Sequence, residues 1–133
     1  MTASAMQIVK TSLAAISAVT AIAPATRHYP VRAPEHVTAP YILFRLATEG
    51  DEELLSGPAG YYESRVTVEC ISDSVTTADA LGEQVKRGLG AVTKATVGEA
   101  TDVDIYKAAT DFLDFDDARQ ASRRVIDFYL RWK

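Results

Sequence analysis

Apolar residues Met6, Val9, Leu13, Ile16 and Ala23, with Val19 beside them, recur at the spacing of one helical face, while Gln7, Lys10, Ser17 and Thr20 lie off it. This predicts an amphipathic first helix stopped near Pro24. From Pro24 to Pro40 the chain holds four of its five prolines, with Arg27, His28, Tyr29 and Arg32 between them. Fixed φ angles and missing N–H donors exclude a helix or a central strand there and predict an extended arm or ordered loop over 24–40.

The pattern then changes from period 3.6 to period 2. Tyr41 to Thr48 is rich in strand formers, with Ile42, Phe44 and Leu46 on one face and Arg45 on the other. Glu49 to Gly60 brings four carboxylates, two leucines and a glycine-proline turn, and from Tyr61 to Asp73 the residues Val66, Val68 and Cys70 alternate with Arg65, Thr67 and Glu69. The two runs predict a long hairpin with loop 49–60 at its tip. Ser74, Thr76 and Thr77 offer N-cap oxygens to a second helix, in which Ala78, Leu81, Val85, Leu89 and Val92 mark one face. A third strand is expected over Asp102 to Ala109 and a fourth over Arg123 to Lys133, where Ile126, Phe128, Leu130 and Trp132 alternate with Val125, Asp127, Tyr129 and Arg131. The expected fold class is α+β: an antiparallel, about four-stranded sheet with two helices packed on one face, in two layers, with residues 1–133 forming a single domain.

Composition changes this picture in two respects. With 14 Lys and Arg against 18 Asp and Glu, the formal charge is -4, opposite in sign to the usual footprint of a duplex binder. The single Cys70 excludes an intramolecular disulfide, and its flanks Val68, Glu69 and Ile71 read as strand, so it is expected to be a small buried hydrophobe. Leu13 to Ala23, behind Lys10, also imitates a secretory signal, but one basic residue precedes it and Pro24 follows the first candidate cleavage point, so a helix is the reading retained.

Candidate chemistry is sparse. His28 and His36 lie eight apart in the arm with Glu35 beside the second, which gives no zinc-binding spacing, and two exposed loop histidines are expected. Asp111, Asp114, Asp116 and Asp117 lack the alternation and glycine of a calcium loop and read as a solvated hairpin connection. Gly88-Leu89-Gly90 follows a helix where a phosphate loop would follow a strand, and Ser56-Gly57 lacks a nucleophile-elbow context. No catalytic, cofactor-binding or metal residue is therefore assigned, and no cofactor is expected. The candidates for protein contact are Glu49, Asp51, Glu52, Glu53, Leu54 and Leu55 at the hairpin tip, and Trp132, for which core packing is an equal alternative.

Taken in order, the apolar first helix, Arg27-His28-Tyr29-Pro30, Ala33-Pro34, Pro40-Tyr41-Ile42, Leu55-Ser56-Gly57, Arg65-Val66-Thr67-Val68-Glu69, the Ala78 to Leu89 helix and Asp127-Phe128-Tyr129-Leu130-Arg131-Trp132 resemble the tail completion family of phages with long non-contractile tails, related in fold to tail terminators. The resemblance implies a non-enzymatic virion component working as one subunit of a ring, usually a hexamer. Such a ring docks on the last ring of the major tail tube protein, ends its polymerisation and offers its other face to a head completion or stopper protein. DNA would pass through the hole without sequence-specific binding. The place implied is the head-proximal end of the tail, assembled in the host cytoplasm, whether in a phage, a prophage or a gene transfer particle. Two other readings stay open: a stopper or adaptor elsewhere in the neck, and a small dimeric ferredoxin-like ligand-binding domain or enzyme with a pocket lined by Tyr41, Tyr62 or His36.

Overall fold

The computed structural model describes residues 4–47, 54–56 and 61–133. Helix α1 (Ala5–Ala14) starts with a reciprocal cap: Ser4 Oγ accepts from the Gln7 N–H at 3.1 Å, and Gln7 Oε1 accepts from the Ser4 N–H at 3.0 Å. The helix does not run on to Pro24. Ile16 adopts an extended conformation (ψ 102°), and the chain restarts as the single turn α2 (Ser17–Thr20) followed by a 3-10 turn (Ala25–Arg27). Helix α3 (Val75–Gly90) is capped by Ser74, whose Oγ accepts from the Thr77 N–H, and buries Ala78, Leu81, Gly82, Val85 and Leu89. Gly88 lies so close to Ile16 that a Cβ there would overlap its side chain, which lets the break after α1 nest against α3.

Among the described residues seven strands form one curled, mixed sheet, and six of them make a continuous path in the order β1-β2-β4-β7-β6-β5. They are β1 (His28–Pro30), β2 (Tyr41–Leu46), β3 (Leu54–Ser56), β4 (Tyr61–Ser72), β5 (Ala95–Val97), β6 (Ala100–Asp116) and β7 (Ala121–Trp132). β1 runs parallel to β2 and the other pairings are antiparallel. β3 lies off the path and pairs with Tyr61, Tyr62 and Glu63, beyond the end of β2. Ile42, Phe44, Val66, Val68, Cys70, Ile126, Phe128, Leu130 and Trp132 from the sheet close with Ile8, Val9, Leu13, Leu81, Val85 and Leu89 from the helices into one core.

The expected four-stranded antiparallel sheet with two helices on one face is therefore corrected, for three physical reasons. The arm over 24–40 contributes β1, a three-residue strand paired parallel to β2, and its proline-rich remainder covers the sheet face away from the helices, where Tyr29, Ala33, Val37 and Ala39 pack on Tyr41, Leu43, Ile71 and Ala121. The short β5 adds a further strand at the opposite flank. The acidic stretch read as a hairpin connection is mostly strand, because β6 runs to Asp116 and only residues 117–120 make the turn. Within β6 the register slips between Lys107, opposite Phe128, and Asp111, opposite Ile126, so a bulge faces Asp127.

Candidate interaction surfaces

The helix-side core offers little to a reactant. Cys70 is fully buried and burial pushes its thiol up to about 12, so it is a neutral packing group. His28 is buried rather than exposed: its Nε2 donates to the Ala23 carbonyl at 2.8 Å, its Nδ1 has no partner, and burial lowers its pKa although that bond opposes the shift. His36 is exposed in the arm. Trp132 is buried in the core with its ring stacked 5.8 Å from Tyr62, the packing arrangement weighed against a contact role. A groove of about 270 Å³ between α1 and β5 is lined by Thr11, Ser12, Ile16, Val92, Ala95 and Val97 among others, with hydroxyls as its only side-chain polar groups. Tyr41, Tyr62 and His36, expected to line a pocket under the ligand-binding reading, do not line this one.

Beyond the apolar patch that the arm covers, the other sheet face carries two buried carboxylates with partners from the same chain. Asp127 accepts from Thr67 Oγ1 at 2.6 Å through one oxygen and from Arg65 at 2.6 and 3.1 Å through the other. Glu69, 1 % exposed, takes Arg123 Nη1 at 2.6 Å, with Arg119 at 3.7 Å and Arg45 at 3.5 Å as looser ion pairs. Alternation in β4 and β7 placed these groups on one face, but their partners come from separate strands and from the β6–β7 turn, which no local pattern announces.

On the helix side a third ionic node joins α3 to β6. The Arg124 guanidinium grips Asp111 at 2.7 and 2.9 Å, Asp79 at 2.9 Å and Glu83 at 3.1 Å. Arg124 holds the Asp111 carboxyl below the usual carboxylate range, and the same bond keeps Arg124 firmly protonated. A Cβ on Gly82 would collide with Arg124 Cγ, so the helix needs glycine where the arginine passes beneath it. Of the four aspartates read as a solvated hairpin connection, three are strand carboxylates with arginine partners, Asp111 with Arg124, Asp114 with Arg123 and Asp116 with Arg119, and Asp117 lies in the turn. The described residues hold no group of three or more metal-ligating side chains.

The surface that sequence reasoning missed is the outer edge of β6. β5 covers only its start, pairing with Ala100 and Val103, and Ile105 donates to the Val92 carbonyl at 3.0 Å. From Tyr106 to Asp116 no strand lies outside β6 among the described residues, and Tyr106, Phe112, Leu113 and Phe115 are all exposed there. The sequence signal was three large apolar residues set among aspartates, which reads as a loop until the arginine partners are placed. Of the contact candidates, Leu54 and Leu55 form β3, while Glu49, Asp51, Glu52 and Glu53 lie outside the described residues.

Among the described residues the helices and sheet share one apolar core, the far sheet face carries buried ion pairs, and β6 exposes Phe112, Leu113 and Phe115. Among solved structures the fold matches a chain described as "Virion of native gene transfer agent (GTA) particle", with a TM-score of 0.69 and 18 % identity, over 93 % of this chain and 90 % of that one. No curated protein matches the sequence. Residues 7–132 match the family described as "Tail completion protein gp17", and the chain belongs to that family. It is a structural component of a phage-type tail.

Proposed function

We propose that this chain is one domain that works as a subunit of a hexameric ring at the head-proximal end of the tail, capping the tail tube, ending its polymerisation and presenting the surface on which the head is joined. The observation that carries this reading is the family match, which covers nearly the whole chain. The geometry adds large apolar side chains exposed on β6, Phe112, Leu113 and Phe115 among them, which suit protein contacts. The partners would be other copies of this chain, the major tail tube protein and a head completion or stopper protein. DNA would pass through the hole, past a chain of net charge -4 that has no reason to hold it. In this reading the protein is no enzyme, and Glu49, Asp51, Glu52, Glu53, Leu54 and Leu55 serve the contacts around the ring.

The test adds purified protein to polymerising tail tube protein and measures tube lengths by electron microscopy. The expected result is short tubes, each carrying density at one end. Replacing Leu54 and Leu55 with Ser should lengthen the tubes while leaving the melting temperature within a degree or so, as for a surface change. Tubes of unchanged length would contradict the capping role. If the protein then bound only the head-side partner, a stopper or adaptor role would replace it.

A further inference from the structure

The groove between α1 and β5 is apolar and carries no charged residue in its lining. Ala15, Ile16, Val92, Ala95 and Val97 supply its walls, and it measures about 270 Å³. A cavity of about 150 Å³ between aliphatic side chains already admits a benzene ring, so the groove has room for one phenyl group and the start of its chain. The buried hydroxyl in its wall, Ser12 Oγ, has no hydrogen-bond partner among the described residues, although the residue is only 6 % exposed. Buried polar groups are nearly always partnered, so this hydroxyl marks a place where an arriving main chain can bring an acceptor.

The same chain carries a side chain of the right size. Phe115 is 54 % exposed near the end of β6, where no strand lies outside it among the described residues. Leu113, 41 % exposed, shares its side of the sheet. Phe115 cannot enter the groove of its own chain. Ala95, in the groove wall, pairs with Val103, and Phe115 lies twelve residues further along β6, roughly 35–40 Å away at the rise of a strand. Charge agrees with an arrival from outside. Lys10 and Lys94, next in sequence to Thr11 and Ala95 of the lining, are exposed and have no ion pair among the described residues. The Asp117 carboxylate, two residues past Phe115, is likewise exposed and without an ion pair, whereas Asp114 and Asp116 hold Arg123 and Arg119. Glu99, next to Gly98 of the lining, offsets one of the two lysines and leaves the rim positive.

We propose that the α1–β5 groove receives Phe115 of a second copy of this chain, with Leu113 against its rim and Asp117 toward Lys10 and Lys94. Knob and groove are different surfaces, so the contact is heterologous and passes from copy to copy, as a ring requires. The choice of a second copy as the occupant rests on the ring reading.

The experiment introduces Ala118→Cys, in the turn after Phe115, and Thr96→Cys, in the groove lining, separately into the full chain; both positions are exposed, and Cys70 stays because its buried thiol is out of reach. The two proteins are treated with a short bis-maleimide alone and as a mixture, while wild-type protein is scored in parallel for tube capping. Covalent dimers from the mixture, absent from either protein alone, are the expected result. Adding Phe115→Lys to the Ala118→Cys protein should abolish them, and Phe115→Leu should keep them. Adding Ala15→Trp to the Thr96→Cys protein fills the groove and should abolish them too. Substitutions at these exposed positions should leave the thermal midpoint within a degree or so. If Ala15→Trp lowers it, Phe115→Lys decides alone. Dimers that survive Phe115→Lys, or survive a folded Ala15→Trp, would overturn the proposal. Capping by wild-type protein with no cross-link in the mixture would overturn it and leave the tail-end role standing. A cross-link that obeys both substitutions, without capping, would uphold the contact and overturn the capping role. Absence of both would overturn the two together.

Discussion

Phe128 and Asp127 are neighbours on β7 that face opposite sides of the same sheet, and both are buried. Phe128 is held by shape: it sits opposite Val66 of β4 within the core that the helices close. Asp127 is held by charge, with Thr67 and Arg65 supplying donors to its two oxygens. Burying a large apolar side chain stabilises the fold by roughly 1.5–3 kcal/mol, whereas a buried carboxylate mostly recovers through hydrogen bonds what it lost in hydration. The helix side therefore supplies most of the stability, and the polar side fixes which strands lie next to one another.

That contrast is open to direct test, and the largest effect belongs to the apolar face. Phe128→Ala should cost about 3–5 kcal/mol, a large share of the stability of a domain this size, and abolish soluble expression. An unchanged unfolding midpoint would contradict the face assignment. On the polar face Asp127→Ala should cost about 1.5–3 kcal/mol, since it strands the Thr67 hydroxyl and removes a charge-assisted pair. Arg65 is more than a third exposed and can turn to water, which holds the cost at the low end. Urea unfolding of the two variants side by side should place Asp127→Ala between Phe128→Ala and wild type; an equal or larger loss for Asp127→Ala would reverse the ranking of the faces.

A smaller effect comes from the one histidine on the apolar side. The His28 pKa is lowered in the fold, so the unfolded chain binds the proton more readily. The contribution of neutral His28 is fully present above the ordinary value of about 6.5 and is lost as pH falls below it toward the folded value. The thermal midpoint of wild type should therefore fall between pH 7.5 and 5.5 more than that of His28→Gln. Parallel pH profiles would show that His28 does not titrate with unfolding.

How much of this was legible in the sequence follows from the same contrast. The face of β7 that reaches the core was readable because Ile126, Phe128, Leu130 and Trp132 alternate without interruption, and α3 was readable because its stripe and its Ser74 cap agree. β6 beyond Ala109 was not. Aspartates every two or three residues describe a loop unless arginines across the strand pair neutralise them, and Asp111 finds Arg124 thirteen residues away. The break after α1 was also hidden, because Ala15 and Ile16 carry neither glycine nor proline; the packing of Ile16 against Gly88 accompanies it. The arm looked irregular from its prolines, and its strand β1 exists only through pairing with β2. Of the candidate contact surfaces, Leu54 and Leu55 read from the sequence as an apolar pair in an acidic stretch, while the β6 edge needed the sheet order before it could be seen.

The most direct measurement is electron microscopy of the purified protein, with two-dimensional averaging to give its symmetry. A head-to-tail assembly around the tail axis predicts a closed hexameric ring with a central hole wide enough for duplex DNA. Particles that stay monomeric at the highest accessible concentration, or close as two-fold dimers without a hole, would contradict it.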